Sequence, residues 1–187
     1  MKITLDKRIC DDYSALVEIW RMIDSTDRQI LEIVQKDGRI ANAEIARQVG
    51  LAPSAVLERL RKLEERGVIR GYAAEIEAKH VGLGLTAFVF VQTKECDHGT
   101  DLELVKIPEV LEVHDVAGED SNLLKVKAKD PEDLGRILRE KIKTIPNVLS
   151  TRTTIVLQTF KETLALPLDG EALAEEGAKE RKRVKKG

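Results

Sequence analysis

In the stretch AEIARQVGLAPSAVLERLRKLEERGVIRGY, which runs from Ala43 to Tyr72, Ala46, Gly50 and Val56 fall at the spacing A-x3-G-x5-V. A small residue at 46 lets two helices approach closely. Gly50 can take a positive φ that most side chains resist, and Val56 anchors the following helix to the first. The spacing predicts a helix from about Ala43 to Val49 and another from Pro53 to Arg66, closed by Gly50 and Gly67. Upstream, Asp24 is placed as an N-cap with Asp27 three residues on. Ile30, Leu31 and Val34 then form an apolar series that ends at Asp37-Gly38, so a further helix precedes the pair.

On the Pro53 helix the inward stripe is Val56, Leu60 and Leu63. Ser54, Ala55, Glu58, Arg61 and Lys62 point outward, with Arg59 at the flank. Small residues come first and basic ones follow. That order suits a recognition helix whose N-terminal end meets base edges while arginines and lysines reach bases or phosphates. The plainer alternative is a solvated helix laced by pairs such as Glu58 with Lys62. It leaves the Ala, Gly and Val constellation unexplained.

From Tyr72 the hydrophobic period changes to two. Tyr72 to Ile76 reads as a short strand, followed by EAKHVGLG with the glycine pair of a linker. TAFVFVQT, VLEVHDV, LLKVKA and NVLSTRTTIVLQTF read as strands, LELVKI and PEDLGRILREKIKTI as helices. The order strand, helix, strand, strand, helix, strand is that of a split βαβ, ferredoxin-like sandwich, with its hairpin turn at Ala117 to Asn122. Residues 8 to 23 place Ile9, Tyr13, Leu16, Val17, Trp20 and Ile23 on one face of an amphipathic helix, expected to be a core element. The end, KERKRVKKG, reads as a mobile basic tail.

Composition narrows the class. With 42% hydrophobic and 34% charged residues over 187 positions, the chain can bury one large or two small cores. No run approaches the ~20 apolar residues of a membrane span, and no apolar signal core follows the first basic residues, so a cytoplasmic chain with no membrane partner is expected. The two cysteines, Cys10 and Cys96, suggest neither a disulfide framework nor a structural zinc. The formal net charge of -2 does not advertise a nucleic-acid binder, yet a local basic face can dominate binding.

The motifs IDSTDRQIL, QKDGRIANAEIARQVGLAPS, LERLRKLEERGVIRGY and the later STRTTIV, taken in order, resemble the Lrp/AsnC family of bacterial and archaeal regulators over about Ile23 to Glu162. The resemblance implies an α+β chain, with an N-terminal winged helix-turn-helix domain followed by a ferredoxin-like βαββαβ (RAM-type) domain. The expected division is an extension at 1–23, a DNA-binding domain at 24–77, a hinge at 78–84, an effector-binding and oligomerisation domain at 85–168, and a tail at 169–187. It also implies double-stranded operator DNA as a partner, dimers that assemble into octamers or higher, and an effector, commonly a free amino acid, bound between dimers at the hairpin. No cofactor is implied. Matched onto this sequence, Arg39 and Asn42 would touch the DNA backbone before the second helix, and Arg70 would touch phosphate from the wing. Gly118, Glu119, Asp120 and Ser121 would hold effector, with Thr151, Arg152 and Thr153 of the STRT segment beside them.

The chain departs from the family at three places. Ala52 stands where relatives often have a Ser cap, which forgoes about 0.5 to 2 kcal/mol. Ser121 stands at the position of the usual aspartate, the natural partner of an amino acid's ammonium, so Asp120 can substitute only if the loop shifts. Amino-acid sensing, a different ligand, or none therefore stay open. The helix at 8 to 23 and the basic tail exceed the family's usual extent.

Catalysis finds no support in the spacing of His80, His98 and His114; only Cys96, Asp97 and His98 cluster locally, and no nucleophile is set beside a base. The chain is expected not to be an enzyme. Two alternatives are weighed against the regulator. One is a siroheme-decarboxylase-like tetrapyrrole enzyme on the same architecture. The other is a stand-alone sensing or interaction module, in which the basic residues of the recognition helix would be idle.

Overall fold

The computed structural model describes residues 23–95 and 98–168. The helix expected over 8 to 23 lies outside the described residues except for Ile23, as do the basic tail and the pair Cys96 and Asp97. The chain divides into two compact units, one of residues 23–73 with 163–168, the other of 74–162.

The first unit is built on α1 (Ser25–Lys36), α2 (Asn42–Val49) and α3 (Pro53–Glu65). Asp24 starts α1 by accepting from the Asp27 N–H at 2.8 Å, and Asp27 reaches back to the Asp24 N–H at 3.4 Å, which satisfies two otherwise orphaned donors. Gly50 ends α2 at φ 71°, and the carbonyl of buried Ala46 accepts from the Leu51 N–H at 3.0 Å. Ala52 precedes α3 without a side-chain cap, and Pro53 opens the helix. Ile30, Ile45, Ala46, Val56 and Leu60 close the core, with Ile33, Val34, Ile40, Val49, Leu51 and Ile69 packed around them. The three residues of the A-x3-G-x5-V spacing thus do the work expected of them.

The strand expected at Tyr72 to Ile76 does not form. These residues pair with no strand among the described residues, and Ile76 is exposed. Alternating side chains suffice to make an extended run, but a strand also needs a neighbour for its backbone groups. Tyr72 packs on the turn after α1 and on α3 instead: its ring lies where a Cβ on Gly38 would approach to 3.2 Å, and its hydroxyl donates to Glu64 at 3.0 Å. Residues 163–168, assigned by sequence to the second domain, group with the first unit. There the Gln35 amide donates to the Leu166 carbonyl at 3.2 Å and accepts from its N–H at 2.7 Å.

The second unit contains a 3-10 turn at Ala78–Val81, within the segment expected to be a hinge, closed by Gly82 at φ 79°. It continues with β1 (Leu85–Thr93), α4 (His98–Leu104), β2 (Val110–Asp115), β3 (Asn122–Ala128), α5 (Pro131–Ile137) and β4 (Val148–Ile155). The sheet order is β2-β3-β1-β4 and all three pairings are antiparallel, the ferredoxin-like arrangement. Asp130 caps α5, which runs on into a π turn at Leu138–Ile142 rather than as one regular helix to Ile145.

Strand alternation sorts the faces. Ala87, Val89 and Val91 of β1, with Leu124, Val126 and Ala128 of β3, are buried with Leu104, Ile107, Leu134, Ile137, Ile142 and Ile145. The opposite face carries Phe88 and Phe90 of β1 and Leu123, Lys125 and Lys127 of β3, all half-buried. The last strand stops at Ile155, opposite Ala87, rather than continuing to Phe160. The reason is its neighbour: β1 begins at Leu85, so beyond the bond from the Val156 N–H to the Thr86 carbonyl no partner backbone remains.

Candidate functional site

In the first unit the outward surface of α3 is a strip. Ser54, Glu58, Arg61, Lys62 and Glu65 recur at helical spacing and are exposed, opposite buried Val56, Leu60 and Leu63; Ala55 is half-buried. The strip carries its own counter-charges. One Glu58 oxygen lies 3.2 Å from Arg61 Nη2 and 3.3 Å from Lys62 Nζ, and Glu65 lies 3.3 Å from Arg61 Nη1. The hydrogen bond from Arg61, then that from Lys62, holds the Glu58 carboxyl below the usual carboxylate range. Asn42, at the start of α2, and Arg61 share an open concavity of about 410 Å³, lined also by Leu57 and Tyr72. Arg39 and Arg70 are exposed in the segments before α2 and after α3.

Arg59 is the exception among the residues expected to reach DNA. Its guanidinium turns to α1, with Nη1 2.6 Å from Asp27 and 2.8 Å from Asp24. The Asp27 side chain is only 10% exposed and accepts from the Asp24 N–H as well, so its negative charge requires a cation close by. Arg59 is that cation, and it ties the middle of α3 to the first turn of α1. The flank position gave no sign of this.

In the second unit the hairpin between β2 and β3 brings together part of the expected effector set. Gly118 and Glu119 are exposed. Asp120, 18% exposed at its side chain, meets Arg152 Nη2 of β4 at 2.5 Å, and the Arg152 guanidinium lies 4.2 Å from the centre of the Phe90 ring. Ser121 is built into the joint: its Oγ accepts from the Thr93 N–H at 3.2 Å and lies 2.7 Å from Thr93 Oγ1, while its N–H donates to the Val91 carbonyl at 2.9 Å. Asn122, buried, donates to Asp101 at 2.8 Å and fixes the base of the turn.

The remaining expected pair falls on the other side. Thr151 and Thr153 stand opposite Val91 and Val89, on the helix-covered face, whereas Arg152 stands opposite Phe90 on the other face. One strand cannot send all three side chains the same way. Phe90 and Thr93, which the sequence did not single out, complete the joint. Alternation alone put Phe90 opposite the core face; its meeting with Arg152 depends on the β1–β4 register.

Among the described residues no group of three or more His, Cys, Asp or Glu could hold a metal ion, and no helix is long and apolar enough to cross a membrane. The described parts of the chain therefore define a class: a helix-turn-helix unit with a polar, partly basic outer helix, joined in sequence to a ferredoxin-like unit with a charged hairpin. The family profile described as winged helix-turn-helix DNA-binding matches residues 23–70, and that of the Lrp/AsnC ligand binding domain matches residues 86–166. The HTH-type transcriptional regulator FL11 of Pyrococcus horikoshii is 38% identical over 147 residues, spanning 78% of this chain and 97% of its own. A transcriptional regulator of Neisseria meningitidis, solved as its L-Met complex, superposes with a TM-score of 0.74 at 33% identity, over 78% of this chain and 97% of that one. The feast or famine regulatory protein of M. tuberculosis, complexed with L-methionine, does so at 0.73 and 37%, over 77% and 98%. The chain belongs to the Lrp/AsnC family of transcriptional regulators. Nothing in these likenesses supports the tetrapyrrole-enzyme alternative.

Proposed function

We propose that this regulator reads double-stranded operator DNA with α3, entering the major groove by its Ser54 end. The observation that carries the reading is the outward strip of α3, whose Arg61 and Lys62 lie opposite the buried stripe and at hydrogen-bonding reach of no core group. Ser54, Ala55 and Glu58 face base edges, Arg61 and Lys62 bases or phosphates, and Arg39, Asn42 and Arg70 the flanking backbone. Arg59 acts one step back by fixing the pose of α3. Such a protein works in the cytoplasm, where its operators are, as a dimer that assembles into octamers or higher; sedimentation of the purified chain reads the size. It acts by binding, with no chemical step of its own.

The hairpin and β4 form the effector site. An amino acid's ammonium pairs with Asp120 and its carboxylate with Arg152, so the ligand inserts into an existing ion pair instead of an empty cradle. Gly118 and Glu119 border it, and Thr151 and Thr153 support β4 from behind. The L-methionine complexes of two relatives support this ligand class. The DNA reading is tested by Arg61→Ala with Lys62→Ala in an anisotropy titration at fixed salt. Binding weakens by about 1 to 3 kcal/mol for each contact that is bidentate to a base, with an unchanged melting curve. Unchanged binding would remove α3 from the interface.

A further inference from the structure

Glu58 is the only acidic residue in the first two turns of α3. It sits between Ser54 and the basic pair, where a DNA-reading helix meets the groove. The fold does not need it there. Its contacts are pairs one turn apart among half-exposed side chains, 3.2 Å to Arg61 and 3.3 Å to Lys62, and exposed pairs of that kind contribute little to stability. What they do is neutralise. Arg61 is held from both sides, by Glu58 and by Glu65 at 3.3 Å, and Lys62 shares the Glu58 oxygen.

On a duplex this carboxylate would face phosphates and base edges, nearly all of which repel it. Guanine N7 and O6 and thymine O4 are acceptors, as Glu58 is. A base amino group, that of cytosine above all, is the donor that a carboxylate can take in the major groove. We infer that Glu58 is a specificity-determining residue of α3. On arbitrary DNA it keeps hold of Arg61 and Lys62. At a duplex that sets a cytosine amino group within its reach it takes that donor, and the two cations turn to the DNA. The inference rests on the reading of α3 as the DNA-reading helix.

The test uses the full chain and two duplexes, one enriched by the wild-type chain from a random pool and one with the same composition shuffled. Glu58→Gln removes the charge at nearly constant shape. It binds the shuffled duplex more tightly, with a plot of log K against log salt steeper by about 0.9 for each cation released. The ratio of the two affinities falls by about 5- to 150-fold, the discrimination that one base pair carries. An unchanged ratio and slope in Glu58→Gln, while the Arg61→Ala and Lys62→Ala chain binds weakly, would make Glu58 a bystander and overturn the inference alone. If that double variant also binds normally, α3 does not read DNA and both readings go.

Discussion

The outer strip of α3 and the joint between hairpin and β4 both consist of charged side chains paired within the chain, yet they are paired differently. Glu58, Arg61 and Lys62 are 48%, 60% and 52% exposed, their contacts are 3.2 to 3.3 Å, and no aromatic ring or buried backbone group steadies them. Asp120 is 18% exposed, meets Arg152 at 2.5 Å, and its partner lies over Phe90. Loose pairs can be exchanged for phosphates at small loss, since exposed ion pairs are worth about 0 to 1 kcal/mol. A seated pair must be opened by something that replaces both of its ends. On the proposed reading, one surface yields to a polyanion and the other to a molecule carrying an ammonium and a carboxylate together. Arg59, two residues before Arg61 on the same helix, belongs with the seated kind.

The hardest way to break this contrast is at Asp27. Asp27→Ala removes the nearer and more buried of the two carboxylates that hold Arg59, and the acceptor of the Asp24 N–H, in one step. Removing one partner of a buried pair costs about 3 to 5 kcal/mol, and Arg59 at 33% exposure places this pair at the lower end, about 3 kcal/mol. Urea unfolding of the variant measures it. Glu58→Gln, by contrast, stays within about 0.5 kcal/mol of wild type in the same assay. If the two variants lose the same amount, the distinction between seated and loose pairs fails for the first unit.

A smaller effect sharpens the contrast in the second unit. Asp120→Asn and Arg152→Gln each leave one end of a bound zwitterion without its charged partner, and hydrogen bonds to charged groups contribute about 1.5 to 3 kcal/mol. Calorimetry with L-methionine therefore shows each variant binding at least about tenfold more weakly than wild type. Tighter binding by Arg152→Gln would show that Arg152 covers Asp120 without touching ligand. Because methionine must first part the pair, the same titration of the wild-type chain is expected to show weak binding.

Why some of this was legible in the sequence follows from how far each feature reaches along the chain. Ala46, Gly50 and Val56 act through contacts within one turn and two helices, so their spacing already contains the geometry. The outer strip of α3 is a matter of period alone. The missing strand at Tyr72 to Ile76 is not, because local alternation says nothing about whether another backbone lies alongside. The same holds for the end of β4 at Ile155, which is decided by where β1 starts. The fate of Arg59 depends on the position of α1, 32 residues away along the chain, and the contact of Arg152 with Phe90 depends on a strand register. The contact of residues 163–168 with the first unit was hidden for a similar reason: Gln35 is 131 positions upstream of Leu166.

The smallest expected effect tests the edge of the seated cluster. Asp24 is over half exposed, but its carboxylate accepts from the Asp27 N–H and also meets Arg59. The hydrogen bond from that N–H, followed by the guanidinium, holds its pKa below the ordinary value of 3.8 in the folded protein. In the unfolded chain Asp24 titrates near that ordinary value. Between the two pKa values the unfolded state binds more of the proton, so stability rises with pH there. The contribution of Asp24 is complete above about pH 4 and is lost as the pH falls through the depressed folded value. An N-cap of this kind is worth about 1 kcal/mol, so Asp24→Ala lowers stability by about that much at pH 7. The difference between variant and wild type shrinks as the pH falls through that depressed folded value. A difference that stays constant over that range would mean that the carboxylate's charge does nothing at the cap. In that case Asp27 alone would seat Arg59, and Asp24 would belong with the loose charges on the surface of α3.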